Sequence, residues 1–174
     1  MTFIGITGLK RSGKTTFAMF LQSALLPQTT ETVSFADALK EEVATAAGVT
    51  TTYLEEHKDS FRLILQGWGT DFRRNLCHKE YWTSRLLQKA VILKRKDCKY
   101  LIIPDVRFHN EADVIRTVGG RIIRVTRDSL DTVDHHASEK EQLEIVADYS
   151  IVNSGSLAEL KQQAEQLAAR LKLI

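Results

Sequence analysis

Proline and cysteine are nearly absent, with two of each in 174 residues. With only Pro27 and Pro104, and no low-complexity segment or repeat, little of the chain reads as linker between modules. Cys77 and Cys98 stand far apart in no C-x-x-C or Cys/His pattern. That excludes a disulfide-framed scaffold and reads as reduced thiols of an intracellular protein. Five histidines without H-x-x-x-H spacing offer no structural zinc site. No apolar run approaches about twenty residues, which excludes a helical membrane span. The N-terminus lacks the basic region and long apolar stretch of a secretory signal. Charge is nearly balanced, 24 Lys and Arg against 22 Asp and Glu, so no global field marks a nucleic-acid partner. Hydrophobic content of 43% and charged content of 26% are those of an ordinary globular chain. At this length a single domain, residues 1–174, with a full core is expected in the cytoplasm.

What is present is organised around Gly8-Leu9-Lys10-Arg11-Ser12-Gly13-Lys14-Thr15-Thr16, which fits G-x-x-x-x-G-K-[ST]. Before it, Thr2–Thr7 is a short apolar segment; after it, Phe17, Ala18, Phe20, Leu21, Ala24 and Leu25 recur at helical spacing. Strand, glycine loop and helix in that order are the context this motif needs. The glycines let the backbone curl until consecutive N–H groups point inward, and the helix N-terminus adds partial positive charge. Lys14 then reaches the β- and γ-phosphates, and the Thr15 hydroxyl holds Mg²⁺. The stretch reads as a nucleoside triphosphate site. No Asn-Lys-x-Asp follows, which makes a guanine-dependent switch a poor fit.

The remaining elements alternate. Strands are expected at 32–35, 100–103, 121–126 and 149–152. Helices are expected from Ala36 to near Gly48, from a Thr52/Glu55 capping box, and from Trp82 to Leu93. Others should run from an Asn110 cap to Val118, and from a Ser156/Glu159 box to the C-terminal end. Such alternation implies an α/β fold, a five-stranded parallel sheet covered on both faces in three layers, with functional loops at its carboxyl edge. Asp105 ends the 100–103 strand, where a carboxylate serves as a magnesium ligand or, alternatively, as a turn aspartate. Arg62, Gln66, Gly69 and Arg73 share one helical face, with Arg74 adjacent and Arg107 two residues after Asp105. Guanidinium forks suit phosphate oxygens, and the glycines of this stretch would admit a close ligand. Trp68 and Trp82 either stack on a base or pack a core.

The runs Phe35-Ala36-Asp37-x-Leu39-Lys40, Leu65-Gln66-Gly67-Trp68-Gly69-Thr70-Asp71 and Pro104-Asp105-Val106-Arg107-Phe108-x-Asn110-Glu111 resemble the bacteriophage deoxynucleoside monophosphate kinases. So do Tyr81-Trp82, Gly119-Gly120, His136-Ala137-Ser138-Glu139 and Asn153-x-Gly155, in the same order along nearly the whole chain. The resemblance implies the P-loop, adenylate-kinase-like fold with a helical acceptor-binding region near 50–98 and a lid over 127–147. It implies ATP and Mg²⁺ as donor, a deoxynucleoside monophosphate as acceptor, a possible homodimer, and the host cytoplasm if the gene is a phage's. Neither nucleic acid nor membrane is an implied partner. Lys14, Arg11, Arg107 and Arg127 become catalytic candidates, and the loop residues Gly8, Lys10, Ser12, Gly13, Thr15 and Thr16 join Asn153 and Gly155 at the nucleotide donor. Asp37, Lys40, Arg62, Gln66, Trp68, Thr70, Trp82, Arg107, His136, Ser138 and Glu139 fall to the acceptor. The family's arginine after Gly-Thr aligns with Arg74, whereas the helical stripe selects Arg73. Arg124 joins Arg127 as a candidate charge-neutralising group of the lid. Several of these have plain alternatives: Asp37 and Lys40 as helix-end charges, Ser138-x-x-Glu141 as a capping box, Asn153-Ser154-Gly155 as a helix-entry turn, Arg124 as an outward strand residue. Two rival functions remain: a kinase of another phosphorylated small molecule (dephospho-coenzyme A or phosphomevalonate), and a nucleotide-dependent NTPase switch.

Overall fold

A computed structural model describes residues 1–127 and 137–171, with backbone only for 137–140. It divides into two compact units, Met1–Val33 with Ala90–Ile174, and Ser34–Lys89.

The first unit is built on five parallel strands: β1 (Thr2–Thr7), β2 (Thr30–Thr32), β3 (Tyr100–Ile103), β4 (Arg121–Thr126) and β5 (Tyr149–Val152). Their order is β2-β3-β1-β4-β5, so the strand before the glycine loop is central. β1 pairs with β3 from Thr2↔Tyr100 to Gly5↔Ile103, and with β4 from Ile4↔Arg121 to Thr7↔Arg124. The period of two in a strand gives each face its own contents. Ile4 and Ile6 point to one face, where α1 (Lys14–Ala24) and α8 (Leu157–Leu171) cover them with Phe17, Leu21, Leu160, Ala164 and Leu167. Gly5 points to the other, against Ile115 of α6 (His109–Thr117), Ile122 and Val106. Each fully buried Ile or Leu contributes roughly 1.5–3 kcal/mol of transfer free energy, which makes this double-sided core the rigid support of the β1 edge. α7 (Ala137–Glu144) precedes β5.

The second unit is helical: α2 (Phe35–Ala47), α3 (Thr51–Glu56), α4 (Lys58–Gln66), a π-helix over Gly67–Cys77, and the start of α5 (Tyr81–Arg95). Val43, Ala44 and Leu54 form its core, with Leu39, Phe61, Leu65 and Trp68 packed around them. Ile64, beside Leu65 on α4, is half exposed.

Several local expectations are corrected. β2 spans only Thr30–Thr32, and Phe35 opens α2 because Asp37 accepts the Ser34 N–H at 2.8 Å. α3 is capped by Thr50, whose hydroxyl accepts the Tyr53 N–H at 3.1 Å, two residues before the Thr52 expected. At α6 the buried Glu111 carboxylate does the capping, accepting N–H bonds from Arg107 (2.8 Å) and Phe108 (3.2 Å), so the helix starts one residue before Asn110 could cap it. The Ser156/Glu159 box of α8 forms as expected. No helix among the described residues is long and apolar enough to cross a membrane.

Candidate active site

In the first unit the glycine loop joins β1 to α1, with Gly13 as the left-handed residue before the helix (φ 96°). A Cβ there would lie 2.3 Å from the Asn153 side-chain nitrogen; one at Gly8 (φ 144°) would meet the Val125 carbonyl at 2.1 Å. Both positions therefore need glycine for space as well as for backbone freedom. Arg11 also has positive φ, 65°, an unusual conformation for a side chain of its size.

The loop's carbonyls are held by three donors. Lys14 Nζ donates to Gly8 O, and to Leu9 O at 2.7 Å. Gln142 Nε2 donates to Gly8 O at 2.6 Å, and Asn153 Nδ2 to Ser12 O at 2.9 Å. A peptide's carbonyl and N–H point oppositely, so tying the carbonyls turns the amides toward the open side, as an anion cradle requires. Ser12 is 1% exposed, and its hydroxyl has no hydrogen-bond partner among the described residues. Lys10, Arg11 and Thr15 are exposed; Thr16 is half-buried.

Asp105 follows β3 after Pro104 and is half-buried. The next residue, Val106, donates its N–H to Ile6 O at 3.1 Å, which draws this turn against the end of β1. Arg107 is exposed, with its backbone committed to Glu111. Arg127 is exposed just beyond β4. Arg124, weighed as a charge-neutralising group, instead donates to the carbonyls of Gln142 and Leu143 (3.3 Å each) and of Ile145 at the end of α7. Burial lowers its guanidinium's pKa, and the negative end of the helix dipole is a fitting partner for the charge it keeps. Glu141, the expected box partner of Ser138, accepts the His109 N–H at 2.8 Å. Much of the expected lid, His136 included, lies outside the described residues, as do the side chains of Ser138 and Glu139. Gly155 is exposed in the turn before α8.

In the second unit the polar centre is Glu42, which the sequence reading passed over. Its Oε2 accepts Trp68 Nε1 (3.0 Å) and Arg73 Nε (2.7 Å), and its Oε1 accepts the Tyr81 hydroxyl. Burial works to raise the Glu42 pKa, but these hydrogen bonds together outweigh it and hold the carboxyl below its ordinary value. The same bond raises the Tyr81 phenol. The Arg73 guanidinium stacks within 4.7–5.6 Å of the Trp68, Phe72 and Tyr81 rings. Nothing local in the sequence signals it, because its partners lie 26, 31 and 39 residues away.

This corrects the helical-stripe argument. Two α turns from Gln66 lead to Arg73, but the chain widens to a π-helix at Gly67, and two of its wider turns lead past Arg73 toward Arg74. Arg73 goes to Glu42, while Arg74 is 9% exposed. Gly69 is packed against protein: a Cβ there would be 3.0 Å from the Leu39 side chain, and its carbonyl accepts Trp82 Nε1 at 2.9 Å. Trp82 is buried, as in the core alternative. Asp37 caps α2, and Lys40 pairs with Glu55 at 2.6 Å. Arg62 is exposed on α4, and Gln66 and Thr70 are half-buried. No cluster of three His, Cys, Asp or Glu able to hold a metal occurs among the described residues.

Comparison with known proteins gives this geometry a context. Residues 29–164 match the family model described as deoxynucleotide monophosphate kinase. A putative deoxynucleotide monophosphate kinase of Acanthamoeba polyphaga mimivirus is 32% identical, with 94% of each chain covered. The deoxynucleotide monophosphate kinase of Escherichia phage RB69 is 30% identical over 62% of this chain, which spans 44% of that protein's length. Among solved structures, dephospho-CoA kinase from Campylobacter jejuni superposes with a TM-score of 0.56 at 18% identity, over 97% of this chain and 96% of that one. At that identity the likeness shows a shared P-loop kinase fold.

Proposed function

The chain belongs to the deoxynucleotide monophosphate kinase family and is a phosphotransferase; from that premise we propose that it transfers the γ-phosphoryl group of ATP to a deoxynucleoside monophosphate, giving a diphosphate and ADP. The observation that carries the donor half is the loop whose carbonyls are tied by Lys14, Gln142 and Asn153, leaving its amides to an anion. The acceptor class comes with the family.

The loop amides and Lys14 bind the triphosphate, and the buried Ser12 hydroxyl, without a partner among the described residues, accords with an oxygen-rich ligand in the cradle. Thr15 and Asp105 would hold Mg²⁺: a hydroxyl and a carboxylate are the hard oxygen donors it prefers. When bound, that ion supplies neutralisation of phosphate charge. The acceptor's phosphate is already anionic near pH 7, so the chain need supply no strong base. Its residues work by position and charge: Lys14, Arg11, Arg107 and Arg127 against the transferring group, and Arg62 and Arg74 at the acceptor phosphate. Arg73 is the second choice there, because Glu42 already claims its Nε. ATP and deoxynucleoside monophosphates are cytoplasmic pools, and we place the enzyme there, as a homodimer by family resemblance.

The test is incubation of purified protein with ATP, Mg²⁺ and each of dTMP, dGMP, dCMP, dAMP and dephospho-coenzyme A, with products separated by chromatography. At least one deoxynucleoside diphosphate should form, and Lys14→Ala should lower turnover by about two to four orders of magnitude. Phosphorylation of dephospho-coenzyme A alone, or full activity in Lys14→Ala, would overturn the assignment.

A further inference from the structure

Gln142 belongs to no motif of the sequence, yet it is 3% exposed and reaches back 134 residues to the first glycine of the phosphate loop. Its amide nitrogen donates to Gly8 O at 2.6 Å and to Val106 O at 3.4 Å. One carbonyl belongs to the residue that opens the loop, the other to the residue after Asp105. A single NH₂ group has two N–H bonds, so it can serve both acceptors at once. The helix that carries it is itself anchored: Arg124 from β4 binds its last carbonyls, and Glu141 accepts the His109 N–H at the start of α6. Among the described residues of α7, Gln142 is the side chain that bonds the loop directly, on a helix held by two other elements.

We propose that Gln142 is a positioning residue for the donor nucleotide: it holds the Gly8 carbonyl away from the open side of the cradle and ties the phosphate loop to the Asp105 turn, so that both halves of the donor site keep one geometry. It touches no substrate. The reasoning rests on the donor-site reading above and adds a residue to it. The Gly8 carbonyl is shared with Lys14 Nζ, so the brace also sets where the lysine's ammonium is held. Without the amide, the peptide after Gly8 would lose one of its two fixed donors, and the N–H groups of the cradle would no longer be aimed before binding.

Two variants of nearly unchanged volume test this. Gln142→Met removes both N–H bonds and keeps the packing; Gln142→Glu puts a carboxylate oxygen against two carbonyls. Affinity for N-methylanthraniloyl-ADP is measured by fluorescence titration, and KM for ATP and for the deoxynucleoside monophosphate separately by steady-state assay. Gln142→Met should weaken ADP binding about tenfold and raise KM for ATP in parallel, and Gln142→Glu should do so by up to about a hundredfold. KM for the monophosphate should keep its wild-type value. Should the glutamate variant not fold, the methionine variant carries the test. Wild-type ADP affinity in Gln142→Met would overturn the proposal. So would equal losses at both substrates with a lowered melting temperature, which is what a merely structural residue gives. A wild-type protein that binds the ADP probe but phosphorylates no monophosphate would end the kinase reading and leave Gln142 to be judged on binding alone.

Discussion

Glu42 shows how one carboxylate can organise a region. Three donors from Trp68, Arg73 and Tyr81 converge on it, and its side chain is 15% exposed against 26% for Arg73. Deleting the acceptor strands all three donors, so Glu42→Ala should cost on the order of 2–4 kcal/mol in the second unit, less than a fully dry pair because Arg73 still meets water. Both tryptophans lie in Ser34–Lys89, so intrinsic fluorescence in a urea titration reports that unit directly. The pH dependence follows from the shift. The folded Glu42 pKa lies below its ordinary 4.5, so its contribution is complete above that value and disappears as pH falls through the depressed one. The stability gap between wild type and Glu42→Gln should therefore narrow as pH drops below 4.5; a gap that stays constant would sink this account. On the alkaline side the raised Tyr81 phenol keeps its proton beyond its ordinary 10.0, and its hydrogen bond is lost only as pH rises through the higher value.

At the level of elements, ends were harder to read than bodies. Tyr100–Ile103, Arg121–Thr126 and Tyr149–Val152 are strands where they are expected; β3 is apolar throughout because it is an inner parallel strand covered on both faces, whereas β5 at the sheet edge leaves Ser150 and Val152 exposed. Caps compete among neighbours of similar chemistry. Thr50 displaced Thr52, and Glu111 displaced Asn110, because a carboxylate three residues into the helix satisfies two N–H groups at once. Glu111 is 2% exposed, so Glu111→Ala removes the acceptor of two part-buried N–H groups and should cost about 2–3 kcal/mol in urea-monitored circular dichroism. A loss under half a kilocalorie would show that α6 does not depend on this cap. The π-helix over Gly67–Cys77 was invisible to an argument built on α periodicity, since spacing alone carries no sign of the wider turn.

For the molecule as a whole, the loop and its three tethers lie in the first unit, and the Glu42 centre in the second. A ligand that binds only the folded chain stabilises it by mass action. ADP at a hundred times its dissociation constant adds about 2.7 kcal/mol, which for a chain of this size raises the melting temperature by roughly 5–10 °C. Differential scanning calorimetry with and without ADP measures it, and Lys14→Ala should shrink the shift. An unchanged melting temperature at saturating ADP would mean that the cradle does not hold a nucleotide.

The glycine loop, its strand and its helix were legible because their signature is local: Gly8 to Thr16 are contiguous, and the apolar strand and helix stripe flank them directly. The alternation of apolar runs determined a parallel α/β sheet for the same reason, each run being obliged to hide its own surface. Tertiary structure alone decided what holds the loop in shape and which arginine is taken. Gln142 meets Gly8 across 134 residues, Asn153 meets Ser12 across 141, and Arg73 meets Glu42 across 31. A hydrogen bond between residues so distant leaves no period and no spacing; it exists only once the chain has been brought back on itself.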